Sequence, residues 1–411
     1  MKLFCGNKSI GRVSHCEGIS RALCDDAFLR CSYWVSSDLK NGCRGSQKKE
    51  INMKLRMNMK SGLAGLFAIG LIAGAVSSQA QSYNITDLGA LPGDTISYPA
   101  GLNSQGQAAG TSANATSGIA TLYSDGNVIS LGTLGATDLS FAQAINGSGQ
   151  VVGYDWLSSA GVAHAFLYSN GRMMDIHSAS LFPNGSSAQG INNSDQIVGY
   201  GWINGADDHA FLYAGGRTVD LGTLGGNESM ALAINDAGQI VGHSTTASGV
   251  VHAFLYSNGN MTDLGMPSGA ISSSALAINR TGQIVGLIGI NSASDAALYS
   301  GGVWTDLGTV PGATLGAVAT GINDAGQIVG QATFPKVLIR PASPGKRALY
   351  KPITRVGFVV RNGALVDLDT LISTNSGYTI TGAVGINDLG EILCSATTAS
   401  SASRAIVLTP K

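Results

Sequence analysis

Side chains able to do acid–base work are sparse in this chain, and few stand outside a repeated pattern. Cleaving a glycosidic bond takes two carboxyl groups about 5–9.5 Å apart. From residue 81 onward the only glutamates are Glu228 and Glu391, so the carboxylate candidates reduce to Asp138, Asp155, Asp207, Asp208 and Glu228. Asp87, Asp175, Asp220, Asp263, Asp306 and Asp367 recur at one place in a pattern and read as strand-end residues bonding backbone. His164, His209 and His252 recur in the same way. Packed sheets lie about 10 Å apart, so histidines carried one per sheet do not meet at one metal. The Asp207-Asp208 pair falls far short of the six to eight oxygens that Ca²⁺ takes. There is no Gly-x-Ser-x-Gly nucleophile turn. No catalytic residue, metal or cofactor is assigned.

Binding chemistry is better represented. Tyr154 and Trp156 occupy the same positions of one repeat as Tyr200 and Trp202 in the next, with Asp155, Asp207 and Asp208 close by in sequence. Aromatic rings on loops suit sugar faces or peptide side chains, and these seven residues are the ligand-binding candidates. The same rings are equally suited to filling the space between two packed sheets. A second group, Lys336, Arg340, Lys346, Arg347 and Lys351, clusters among Pro335, Pro341, Pro344 and Pro352. It reads as a solvated loop held out of the sheet by its prolines, or as an anion-binding loop.

The elements that must position these residues come from a block repeated seven times. An Ile-Asn-x-x-Gly-Gln pattern recurs at Asn103, Asn146, Asn192, Asn235, Asn279, Asn323 and Asn387, at intervals of 43, 46, 43, 44, 44 and 64 residues. The long interval carries an insertion at about 334–356 in the sixth block. Each block also has a Leu-Tyr-x-x-Gly segment followed by Asp-Leu-Gly. In 252–265 two short runs flank Asn258-Gly259, a strong hairpin signal. Asn235 and Gly238 mark a second turn, the asparagine bonding the turn backbone and the glycine free to take positive φ. Each block therefore predicts four short strands, in the fourth block at 231–235, 239–243, 252–256 and 261–265. Apolar residues at both parities, as in Ala253-Phe254-Leu255-Tyr256, require cover on both sides of the sheet.

Four-stranded sheets at this period, apolar on both faces, pack radially, which predicts an all-β, seven-bladed β-propeller. The chain enters at 84–89 with an Asp-Leu-Gly strand and leaves at 404–408 with a third strand that lacks its fourth. Pairing of the two would close the ring. A right-handed β-solenoid is the alternative, though its turns are usually shorter.

The segments His164-Ala165-Phe166-Leu167-Tyr168, His209-Ala210-Phe211-Leu212-Tyr213 and His252-Ala253-Phe254-Leu255-Tyr256, in fixed order with the other two motifs, resemble the bacterial extracellular HAF-repeat proteins. The resemblance covers roughly 83–411. Copies at 119–123, 295–299, 356–360 and 404–408 depart from the His-Ala-Phe triplet, and Ser130 and Ile176-His177 replace parts of two Asp-Leu-Gly copies. The resemblance implies an exported repeat protein and supplies no catalytic residue.

Lys54, Arg56 and Lys60 precede an apolar run over 62–76 that ends in Ser77-Ser78-Gln79-Ala80, the order of a secretory signal. Residues 53–80 are read as a signal peptide cleaved after Ala80, and 1–52 as a disordered upstream extension that is not part of the gene product. Five of the six cysteines fall in that extension without the close spacing of a metal site. The remaining chain, 81–411, has 12 Lys and Arg against 20 Asp and Glu, a net charge of −8. That acidity disfavours nucleic acid and anionic membrane as partners. The apolar run is short for a membrane span.

Turns between strands one and two, and three and four, lie on one face and are tight and repetitive. Almost everything irregular lies on the other face, where variable loops on a rigid scaffold place binding residues. The expectation is a monomeric, secreted or cell-surface propeller that acts as a binding or scaffold module for an extracellular glycan or protein. The alternative is a carbohydrate-active propeller enzyme.

Overall fold

A computed structural model describes residues 82–135, 139–157, 161–204, 207–340, 349–351 and 353–411. The upstream extension, the signal peptide, Asp138, Lys346 and Arg347 lie outside the described residues.

Each repeat forms one four-stranded antiparallel sheet, and seven such sheets make a β-propeller. After β1 (Tyr83–Asp87), blade 1 comprises β2 (Ile96–Leu102), β3 (Ala108–Ala113), β4 (Gly118–Ser124) and β5 (Asn127–Ser130). Blade 2 is β6 (Leu139–Ile145), β7 (Val151–Leu157), β8 (Val162–Ser169) and β9 (Arg172–Asp175). Blade 3 is β10 (Ser186–Ile191), β11 (Ile197–Trp202), β12 (Asp208–Ala214) and β13 (Arg217–Gly222). Blades 4, 5 and 6 span 225–263, 272–308 and 317–367. The seventh sheet holds Tyr378–Ile386, Ile392–Thr398 and Ser403–Pro410, with β1 as its outermost strand. The first strands of neighbouring blades contact one another around the whole ring, so they are the strands nearest the axis.

Closure follows the sequence expectation. β1 pairs antiparallel with Ser403–Pro410, Ile85 opposite Leu408 and Asp87 opposite Ile406. The seam gains an ion pair from Arg404 to Asp87 at 3.6 Å and a bond from Tyr378 Oη to the same carboxylate at 2.7 Å.

The core lies between blades. One cluster joins Val152, Ala165 and Leu167 of blade 2 to Ala188, Ile197 and Phe211 of blade 3. The next joins Val198 and Ala210 of blade 3 to Ala231, Ile240 and Phe254 of blade 4. Apolar residues at both parities are thus explained, because each sheet is sandwiched by two neighbours. Strands run beyond the apolar pattern. The first strand of blade 4 begins at Gly225, six residues before the predicted start, because backbone pairing of Gly225 with Thr246 continues past the last packed side chain.

The insertion in blade 6 makes its own two-stranded ribbon, Val337–Arg340 against Leu349–Lys351, separate from the blade sheet. Sequence reasoning foresaw a loop outside the sheet and missed the ribbon.

Candidate functional site

The two faces of the ring are built differently. On the tight-turn face, the seven repeated asparagines form a closed hydrogen-bonded circle. Each Nδ2 donates to the main-chain oxygen of the corresponding asparagine in the next blade, from Asn103 to Asn146 and so on to Asn387, which donates back to Asn103, at 3.0–3.2 Å. The second Nδ2 hydrogen bonds the Gln of the same turn, or Glu391 in the last blade. Asn235 Oδ1 accepts from Ala237 N and Gln239 N, as the turn reading required. Every donor and acceptor of such an amide is used, which is how a polar ring stays buried beside the axis. The ring floors a mouth of about 230 Å³ whose rim carries Asp236, Asp324, Asp388 and Arg280, with Arg280 Nε donating to Asp324 at 2.9 Å.

Blades are further joined by serines that the sequence reading passed over. Ser140, Ser186, Ser229 and Ser273 Oγ accept the main-chain N–H of the alanine in the preceding blade's third strand, Ala120, Ala165, Ala210 and Ala253, at 2.9–3.2 Å. Ser97 does the same for Ala405 across the closing seam, at 3.0 Å. The alanine of the His-Ala-Phe triplet recurs because its side chain is buried at that seam while its N–H is held.

The recurring histidines and aspartates pair within their own blades. His164 and Asp175, His209 and Asp220, and His252 and Asp263 meet at 2.8–2.9 Å. The other oxygen of these aspartates accepts from the main chain two residues on, as expected for strand-end residues. Among the described residues no group of three metal-ligating side chains converges. In blade 5 an aspartate, Asp295, takes the histidine position, and burial followed by Asp306 pushes its carboxyl above the usual range. Burial between blades lowers His243 to about 4, its Nδ1 lying 3.1 Å from Ser274 Oγ.

The irregular face holds the aromatic candidates, on strands β7 and β11. By strand alternation Tyr154 and Trp156 share a sheet face with Val152, and Tyr200 and Trp202 share a face with Val198. Ring contacts run from Tyr154 to Phe141 (5.0 Å, stacked) and from Tyr200 to Trp202 (5.5 Å, edge-on). Trp202 is half-buried and packs over Gly185, whereas Trp156 is 45% exposed. Asp155 has to be withdrawn from the surface set: it is fully buried and its Oδ2 accepts from Leu134 N at 2.7 Å, tying the loop between blades 1 and 2 to β7. Alternation explains this, since the residue between Tyr154 and Trp156 must point to the opposite side of the sheet.

Asp207 closes a small turn with Asn204, accepting from its Nδ2 and donating its own N–H to Asn204 Oδ1. Asp208 is half-buried opposite Trp202, and Glu228 is exposed. Lys336 is exposed at the foot of the inserted ribbon, whose strands carry Arg340 and Lys351. Three exposed aliphatic residues that sequence reasoning missed lie in links between blades on this face: Leu181 (36%), Ile271 (57%) and Leu315 (45%). Their signal was weak, one apolar residue in each polar loop.

No protein-family model matches the chain, and no curated sequence does. Solved structures similar to it are propeller proteins at low identity. The β-propeller domain of the Trilobed protease from Pyrococcus furiosus is 9% identical, covers 77% of this chain and 95% of its own, and has a TM-score of 0.47. A streptogramin B lyase is 10% identical, with coverage of 80% and 98% and a TM-score of 0.46. TolB from Acinetobacter baumannii is 12% identical, with coverage of 72% and 60% and a TM-score of 0.38.

Proposed function

We propose that this chain is an exported propeller of the HAF-repeat kind that works as a binding or scaffold module, capturing an extracellular glycan or protein on its irregular face. The observation that carries this reading is the contrast between the faces. One is fastened by a closed circle of saturated amides, while the other exposes Trp156 near the end of β7 and Leu181, Ile271 and Leu315 on links that differ from blade to blade. Trp156 is the leading contact residue, because an exposed indole beside polar loops offers a flat apolar surface with a donor at its edge.

Glycan and peptide arrays probed with the full chain test the reading. Trp156→Ala should weaken capture at least tenfold with an unchanged Tm, since truncating an exposed ring leaves no cavity. Trp202→Ala should lower the Tm by several degrees, because that ring fills the space over Gly185. Capture on the arrays that is indifferent to Trp156→Ala, or no capture at all, would defeat the assignment to this face.

A further inference from the structure

Blade 2 ends in Asp175-Ile176-His177 where most blades have Asp-Leu-Gly. Elsewhere the first-strand serine of the following blade donates to the glycine carbonyl, Ser229 to Gly222 and Ser273 to Gly265, both at 2.6 Å. At the seam between blades 2 and 3, Ser186 Oγ instead lies 2.8 Å from the imidazole Nδ1 of His177. The His177 ring stacks on His164 with centroids 4.0 Å apart and planes at 28°. One carboxylate serves both residues: Asp175 Oδ2 lies 2.8 Å from His164 Nδ1, and its Oδ1 accepts from His177 N. Asp155, opposite His164 in register on β7, is turned to Leu134 N.

The segment held by His177 belongs to the irregular face. It carries exposed Leu181, the buried Phe182 ring seated against Gly201, and Gly185 beneath Trp202. We propose that the His164–His177 stack is an acid-released latch on residues 177–185. With His177 neutral the segment is fastened through Ser186, and protonating that ring sets a cation face to face with the His164 imidazole in a half-buried seam. Burial, and then His164, hold His177 below the ordinary histidine range against the opposing pull of Asp175. The folded state therefore favours neutral His177, so the latch is fully present above the usual histidine range and weakens as pH falls through it.

The latch bears on ligand capture only if the irregular face is the binding face, but its opening is read without ligand. Hydrogen–deuterium exchange of the full chain, corrected for intrinsic rates, should show protection over 176–186 falling at least tenfold between about pH 7.5 and 5. The corresponding link at 221–229, which lacks a stacked pair, should keep its protection. His177→Gln, which bonds Ser186 but does not titrate, should abolish the step. An equal step in both links, no step in the parent chain, or a step that survives in His177→Gln overturns the proposal. If that variant fails to fold, NMR titration of the parent decides: His177 titrating in the ordinary histidine range would overturn the latch, and His177 titrating below it would support it. A step accompanied by pH-independent capture supports the latch and removes only its link to the binding face.

Discussion

Asn279 shows what a single repeated residue contributes. Its Nδ2 reaches Asn323 O and Gln283 Oε1, and its Oδ1 accepts from Thr281 N and Gln283 N. Replacing it by alanine strands several buried or half-buried groups at once, and each unsatisfied group costs about 1–3 kcal/mol. Asn279→Ala should therefore lower stability by about 2–4 kcal/mol in urea denaturation. The exposed neighbour Arg280→Ala should leave the midpoint where it was. A midpoint unmoved by Asn279→Ala would mean that the circle of amides adds nothing to stability.

At the level of the element, the first strand of every sheet bulges just before its asparagine, as between Ala231 and Ala233 in blade 4. The bulge turns the strand so that Met230 O presses on the second strand, where a Cβ on Gly242 would come within 1.8 Å of it. In the first six blades the glycine at this place is thus set by close backbone approach rather than by a turn, whereas the seventh sheet carries Cys394 there and has an additional register shift between Ile380 and Gly382. Gly242→Ala should cost about 3 kcal/mol or more, because the atom it meets is main chain and cannot swing aside. Thermal melting checks this, and an unchanged Tm would show that the strand pair yields freely.

On the scale of the whole molecule, stability depends on joining two segments more than 300 residues apart in the chain. β1 supplies the outer strand of the last sheet, Asp87 pairs with Arg404, and Asn387 returns the amide circle to Asn103. Deleting 83–90 should leave Ser403–Pro410 as an unpaired edge without the Asp87 partner, so the shortened chain should aggregate or melt much earlier. Size-exclusion chromatography with thermal melting measures both, and a monomer with the parent Tm would show that closure by β1 is dispensable.

Period, turn chemistry and two-sided apolar strands are local properties of the chain, so the repeat number, the four-strand blades and the closing role of 84–89 were legible in the residues themselves. The bonding role of Asp175, Asp220 and Asp263 toward backbone was legible for the same reason: the acceptor and donor are two residues apart. What joins one blade to the next was not. Asn235 reads as a turn residue in its own block, and only the tertiary structure brings its Nδ2 to Asn279 O forty-four residues away. Ser186 reads as an ordinary strand residue until folding sets it between Ala165 N and His177. The candidate site divides along the same line. That Tyr154, Trp156, Tyr200 and Trp202 are equivalent positions is a fact of the repeat, but which ring is exposed depends on what the folded chain lays against it. Trp156 meets a seam that leaves it in solvent, Trp202 finds Gly185 beneath it, and Asp155 between the rings is turned inward by strand alternation. Burial is set by what packs alongside, and in a radial fold much of that surface comes from a different block of sequence.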